Sequence, residues 1–494
     1  MMKSSLIILF VSIICCWQQI LADTPANCTY EDIKGLWLFE ETEPIKDRWE
    51  KCPEHQQQRE KYSKKIFIRL DFPNVAVDKF GNIGEWTMIY NQGFEVKINY
   101  RKYFAFSAYE RKSENNVLSY CHKTQPGWSH DVLGNNWACY VGHKVNNWND
   151  DVSKTVSAEK FPVKQHSERD LYLQNINVEH ILSQKHIDHL NSQQKSWKAI
   201  VYPDLQSKSI EHLIQMAGGR KSRIISRPKP LRATEQQKQL ARSLPESFDW
   251  RNLNGIDYVS PVRDQGKCGS CYTFASMAML ESRIRIQTNN TFKPVFSTQE
   301  VVDCSEYSQG CDGGFSYLIA GKYAQDFGVI DESCYPYKGV TGKCQNQQNF
   351  NQTNEKCKQR TYTIDYKYVG GYFGACNEEA MQIELVQNGP IAVGFEVYGD
   401  FFGYSKGIYS HQPSNESNDQ HKPTIKAEFN PFEMTNHAVL IVGYGKDKKT
   451  GEKYWIVKNS WGKQWGMDGY FWMRRGTDEC AIESLAMAAT PIPN

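Results

Sequence analysis

The chain has 494 residues, too many for one ordinary domain, and its length points to two to four. Its 58 basic and 56 acidic side chains leave a formal charge of +2, so there is no electrostatic case for nucleic acid or an anionic membrane surface as partner. Aromatic residues make up 13% of the chain, which favours large packed cores.

At the N-terminus, Lys3, the apolar run Leu6 to Cys16, and Leu21-Ala22 before Asp23 read as a secretory signal over residues 1–22. A buried N-terminal helix is the competing reading. The run is too short to span a bilayer, and no later segment is long and apolar enough to do so. Secretion predicts disulfides. Cys15 and Cys16 leave with the signal, so 13 of the 15 cysteines remain. Cys28, Cys52, Cys121 and Cys139 form one set; Cys268, Cys304, Cys311, Cys334, Cys344 and Cys357 form another; Cys376 and Cys480 are left over. Spacing alone leaves about 3 and 15 connectivities open for the two sets. Sequons at Asn27, Asn289, Asn351 and Asn415 fit a glycosylated protein of the secretory pathway.

Residues 23–144 alternate apolar and polar side chains, as in Lys65 to Leu70 and Phe94 to Tyr100. Turn signals at Phe80-Gly81-Asn82 and Asn91-Gln92-Gly93 separate such runs, which predicts antiparallel strands in a small barrel or sandwich. Residues 145–243 are polar and mainly helical in pattern. Ile210, Leu213, Ile214 and Ala217 share one helix face, Gly218-Gly219 ends it, and the basic linker Arg227-Pro228-Lys229-Pro230 reads as exposed and easily cut. A third region, 244–494, opens at Leu244-Pro245-Glu246-Ser247. Within it His411 to Glu428 has no apolar periodicity and reads as an inserted loop, dividing a heavy part (244–428) from a light part (429–494).

The chemistry concentrates in Gln265-Gly266-Lys267-Cys268-Gly269-Ser270-Cys271-Tyr272, which runs into a helix-compatible stretch ending near Ile286. A cysteine opening a helix meets free N–H groups and partial positive charge, which lower a thiol's pKa. Gln265 is placed to offer a side-chain N–H to an oxyanion. Cys268-x-x-Cys271 by itself also suits a redox pair or half a zinc site. A thiolate nucleophile needs an imidazole and a group to orient it. His437 begins the apolar run Ala438 to Val442, and Asn459 leaves the run Tyr454 to Lys458 just before Ser460-Trp461-Gly462. Taken singly, such a histidine is more often a packed one.

Together, Cys-Gly-Ser-Cys-Tyr, the segment around His437 and the Asn459-Ser460-Trp461 segment resemble the papain-like cysteine proteases. The interval from Cys271 to His437 exceeds the roughly 130–150 residues usual there, and the 411–428 loop absorbs the excess. The start Asp23 to Tyr30, the segments Ile89 to Glu95 and Gly134 to Cys139, and Gly314 to Gly328 with Arg475 to Glu483 resemble the cathepsin C (dipeptidyl peptidase I) family. That resemblance implies an α+β fold: a two-domain papain-like protease, with a helical lobe and a β-barrel lobe, behind an N-terminal β-barrel exclusion domain.

It further implies Cys271 as nucleophile, His437 as base and acid, Asn459 as the orienting group shielded by Trp461, and Gln265 in the oxyanion hole. The implied disulfides are Cys28–Cys121, Cys52–Cys139, Cys268–Cys311, Cys304–Cys344 and Cys334–Cys357. Asp23 would bind the substrate's free α-ammonium, and Phe315, Tyr317 and Tyr368 would line a chloride site. The family pattern also implies dipeptide release from peptides and proteins with free N-termini, a lysosomal homotetramer, and a zymogen cut by an activating protease. An endopeptidase or another exopeptidase on the same scaffold is the alternative; a catalytically dead binding homologue is disfavoured because Cys271, His437 and Asn459 are all present.

Overall fold

The computed structural model describes residues 24–45, 52, 59–113, 116–148, 163–166, 182–224, 227–345, 355–412 and 436–493. Asp23, the signal, the sequons at Asn351 and Asn415, and the expected start of the light part at 429 lie outside the described residues.

The alternating N-terminal runs become strands β1 (Gly35–Glu41), β2 (Lys64–Asp71), β3 (Val75–Asp78), β4 (Ile83–Ile89), β5 (Gly93–Ile98), β6 (Arg101–Ser113), β7 (Asn116–Thr124), β8 (Gly127–Asp131) and β9 (Ala138–Lys144). Antiparallel neighbours run β1-β2-β3-β4-β5-β6-β8-β9, and β9 returns to β1 with Phe39 opposite Gly142. The sheet therefore closes as an eight-stranded barrel, which removes its edges. Trp37, Phe39, Phe94, Tyr103 and Tyr140 pack inside it with ring centroids 4.8–6.4 Å apart. β6 and β7 continue past the barrel as a hairpin, and β10 (Lys164–His166) adds to β7.

The described residues of the middle region include both helices and strands. Its described helices include α1 (Gln184–Gln193), α2 (Ile210–Met216) and α3 (Glu235–Arg242), but β10 and β11 (Trp197–Ala199) are strands. β11 pairs with β15 (Tyr404–Tyr409), and Trp197 is buried with its indole N–H donating to Ser410 O at 3.0 Å. A three-residue strand carries no periodicity to read; a tertiary partner decides it. α2 behaves as its pattern requires: Leu213, Ile214 and Ala217 are buried, and Gly218 and Gly219 leave the helix at positive φ.

The remainder forms two lobes. α4 (Cys271–Gln287) is buried from Cys271 to Arg285, as expected of a helix apolar on most sides. Its interior serines turn inward, Ser276 Oγ to Tyr272 O and Ser282 Oγ to Ala278 O, so no hydroxyl is stranded. Arg283, near its C-terminal end, pairs with Glu384 at 3.0 Å and donates to the carbonyls of Gly389, Pro390 and Ala489. The other lobe is a sheet of β12 (Phe248–Asp249), β13 (Thr363–Tyr368), β14 (Ile391–Phe395), β15, β16 (His437–Lys446), β17 (Lys453–Lys458), β18 (Tyr470–Arg474) and β19 (Ala486–Pro491). α4 packs against β16 and β19, so the helix N-terminus meets the start of β16.

Among the described residues, five disulfides join Cys28–Cys121, Cys52–Cys139, Cys268–Cys311, Cys304–Cys344 and Cys334–Cys357, and Cys271, Cys376 and Cys480 are free thiols. The barrel seats on the protease lobes through polar as well as apolar contacts. Tyr366 Oη donates to Glu95 at 2.5 Å, Lys102 Nζ to Gln325 at 3.1 Å, and Tyr30 Oη to Phe373 O at 2.8 Å.

Candidate active site

Cys271 stands at the first turn of α4, after Ser270, and Cys268 is tied to Cys311 by the neighbouring disulfide. That bond settles the redox-pair reading against Cys268–Cys271. The Gly310 to Gly314 turn lies alongside, with Gly269 N–H donating to Cys311 O at 2.8 Å and the Tyr272 ring within 2.7 Å of where a Cβ on Gly314 would sit. Only glycine leaves that ring its place.

His437 is the first residue of β16, opposite Phe395 of β14. Its Nε2 is 2.8 Å from Asn459 Oδ1, and its Nδ1 is buried without a hydrogen-bond partner among the described residues. The next residue, Ala438, donates its main-chain N–H to Cys271 Sγ at 3.3 Å. This anchors the thiol to the strand that His437 opens. The indole of Trp461 lies over the imidazole at 5.0 Å between centroids and 30° between planes, with Phe395 edge-on at 5.6 Å, so water is kept from the His437–Asn459 bond. Asn459 Oδ1 also accepts from Ser460 N–H at 2.8 Å, which fixes its orientation.

Gln265 is fully buried; its Oε1 accepts from Ser460 Oγ at 2.6 Å, leaving the amide nitrogen as donor. That nitrogen donates to Cys268 O at 2.8 Å and to Met216 O at 3.2 Å, while Trp461 Nε1 donates to the same Met216 O at 3.1 Å. Met216 ends α2. The residues after it continue along the cleft: Gly219 lies against Asp312, Gly218 against Asn436, and Ser222 Oγ accepts the Asn436 N–H at 2.9 Å. Residues 213–222 therefore cover the nucleophile, and Cys271 and His437 have no exposed surface.

This cover reverses one expectation. The helix terminus was expected to lower the thiol's pKa; in this closed form burial pushes Cys271 up to about 12, and the N–H groups of Ala438, Tyr272 and Cys271 only partly oppose it. Burial likewise pulls His437 down to about 4 against the favourable Asn459 bond. Thiol and imidazole are both neutral here. The linker also departs from expectation. Arg227 is turned into the cleft, bonded to Asn436 and Gly394 O, rather than exposed. Sequence reasoning missed it because its basic, proline-rich surroundings carry no trace of a distant acceptor.

The three residues expected around an anion come together. Phe315, Tyr317 and Tyr368 are buried, and the two tyrosine rings stack at 4.1 Å and 7°. Tyr90 of the barrel packs on Phe315 at 4.1 Å and edge-on to Tyr368 at 6.0 Å, a contact sequence reading did not anticipate. Asn27 is half-buried; Asn289 follows α4, with Oδ1 accepting from Tyr258 Oη at 3.1 Å.

Comparisons agree with this geometry. Residues 244–490 match the papain family cysteine proteases, and residues 23–144 match the cathepsin C exclusion domain. A cathepsin C of Schistosoma mansoni is 44% identical over 486 residues, covering 97% of this chain and 98% of that protein. Pro-cathepsin H of Bos taurus is 37% identical over 257 residues, covering 50% of this chain and 65% of that protein. Among solved structures, proCathepsin B S9 from Trypanosoma congolense superposes with a TM-score of 0.50 at 28% identity, over 64% of this chain and 99% of that one. The chain belongs to the papain family of cysteine proteases, within its cathepsin C branch.

Proposed function

We propose that this cysteine peptidase is a dipeptidyl-peptidase that acts on peptides and proteins with free N-termini. The observation that carries the reading is the exclusion domain, an eight-stranded barrel seated on the protease lobes, which an endopeptidase does not need. Its N-terminal segment is pinned: Cys28 N–H donates to Asn91 O at 2.8 Å, Asn91 Nδ2 donates back to Cys28 O at 3.3 Å, and the adjoining residue Tyr90 packs on Phe315. Asp23, five residues before Cys28, would present its carboxylate to the substrate's α-ammonium as a charge-assisted contact. A fixed interval between that carboxylate and Cys271 would select the bond after the second residue.

In the mature site, Cys271 attacks the carbonyl of substrate residue two as His437 takes the thiol proton through Nδ1. Gln265 and the Cys271 main-chain N–H receive the developing oxyanion. His437 returns the proton to the leaving amine, then activates water to release the dipeptide. Asn459 holds the imidazole in position throughout.

Chloride would suit the Phe315, Tyr317 and Tyr368 cluster because burial holds both tyrosines well above the usual phenol range, so their hydroxyls stay donors. The remaining parts of the reading are a glycosylated lysosomal protein, matured by an activating protease, and a homotetramer; exposed Phe80, Ile83, Tyr100 and Leu133 offer apolar surface for assembly. Mass spectrometry of products from one free-amine peptide tests the activity: successive dipeptides support it, and internal fragments favour an endopeptidase.

A further inference from the structure

Arg227 lies between the cover over Cys271 and Leu244, in a stretch whose composition predicts exposure, yet its side chain is only 9% exposed. Its Nη1 donates to Gly394 O at 3.0 Å, and to Ala481 O and Ser484 Oγ at 3.4 Å. Nη2 donates to Asn436 Oδ1, and Nε lies 3.7 Å from the Glu396 carboxylate. One guanidinium thus ties together the end of β14, the approach to β19, and the residue before His437. Each of these described partners accepts from it, and Asp478, Tyr90 and Tyr398 also act on its charge.

The pocket is shaped for this contact. A Cβ on Gly394 would come within 2.4 Å of Asn436 Oδ1, so only glycine there lets the amide oxygen take its place beside the guanidinium. Burying a permanent cation is unfavourable unless its donors are met. Here they are met by a dedicated set, which an incidental surface linker would not find.

We propose that Arg227 is a side-chain lock on the cleft: it fills an acceptor-lined pocket beside His437 that takes a guanidinium, and it keeps the peptidase closed until the linker carrying it is cleared. This lock is separate from the main-chain cover that Met216 to Gly219 lay over Cys271. A cut just before Leu244 leaves both in place, so maturation has to remove residues on the N-terminal side of that cut as well. The lock rests on cysteine-peptidase chemistry alone and holds whether or not the products are dipeptides.

The test uses the uncut precursor and the processed enzyme. Iodoacetamide labelling of Cys271 in the precursor, read by peptide mass spectrometry to separate it from Cys376 and Cys480, is compared for wild type, Arg227→Lys and Arg227→Ala. The Ala variant is expected to label about ten-fold faster or more, with Lys between, from loss of a charge-assisted set. In parallel, a synthetic peptide of residues 220–231 is expected to inhibit processed enzyme competitively, and the same peptide with Arg227→Ala at least about ten-fold more weakly. Equal labelling in a folded Ala precursor overturns the lock. If that variant does not fold, the peptides decide: equal inhibition by the two overturns it.

Discussion

Gln265 donates its side-chain amide to the carbonyl oxygen of Met216 at 3.2 Å. The donor assigned to an oxyanion is therefore already engaged by a peptide carbonyl of the chain's own middle region. Trp461 donates to the same oxygen, so the carbonyl is held rather than presented for attack. The closed site is a neutral thiol under a bound stretch of its own chain.

The ionisation of Cys271 should consequently depend on processing. In the precursor, burial keeps the thiol up to about 12, so alkylation by iodoacetamide should be slow at pH 7 and should rise with pH across the accessible range. Removing the cover lifts the desolvation that opposes both charges, and the helix N-terminus and His437 then favour a thiolate–imidazolium pair. Processed enzyme should label rapidly already at pH 5–7. Identical pH profiles before and after processing would contradict this.

Cys271→Ala should abolish turnover while secretion and folding persist, since the substitution removes the nucleophile and little volume. Asn459→Ala should be milder, because it frees the imidazole without removing it; the loss should fall mainly on kcat, as expected for transition-state orientation. Steady-state kinetics on purified, circular-dichroism-matched variants checks both. More than trace turnover in folded Cys271→Ala sinks the assignment.

Acid should loosen the barrel from the protease lobes through His130. Its Nδ1 lies 2.6 Å from Asp131 O and its Nε2 3.1 Å from Lys322 Nζ, so the neutral ring donates through one nitrogen and accepts through the other. The Lys322 ammonium pairs with buried Asp326 at 2.9 Å, and burial together with Lys322 pulls His130 down to about 2. Unfolded, the ring titrates near 6.5. The unfolded chain therefore binds the proton first as pH falls. The contribution is complete above about pH 6.5 and is lost below it, at up to about 1.4 kcal/mol per unit, or about 2.7 kcal/mol by pH 4.5. Thermal melts at pH 7 and 4.5 should show a smaller acid loss in His130→Gln than in wild type. Parallel losses would refute the role.

Much of the catalytic site was legible because each part is local. A cysteine at a helix start, a histidine opening an apolar strand and an asparagine leaving another are visible in short windows, and β16 and β17 bring the latter two within 2.8 Å. Strand alternation over residues 23–144 gave the barrel's elements, although closure of β9 on β1 depends on register that no window holds. The disulfide pairs came from resemblance rather than spacing, which leaves them open. The illegible features join distant polar residues. Arg227 to Asn436, Lys322 to His130 and Trp197 to Ser410 are separated by 209, 192 and 213 positions, and none imposes a period on its own segment.

On the proposed function, the barrel converts a papain-like cleft into one that measures from a free amine, with Asp23 as the anchor. Replacing that carboxylate should weaken recognition and leave the chemistry at Cys271 intact. A charge-assisted contact contributes roughly 1.5–3 kcal/mol, so Asp23→Ala should lose about ten- to over a hundred-fold in kcat/KM on a free-amine dipeptidyl reporter. The most direct measurement is kcat/KM of wild type and Asp23→Ala on that reporter and on its N-acylated counterpart. Wild type should show a strong preference for the free amine that collapses in the variant, with little change on the blocked reporter. The same preference in both enzymes would contradict it.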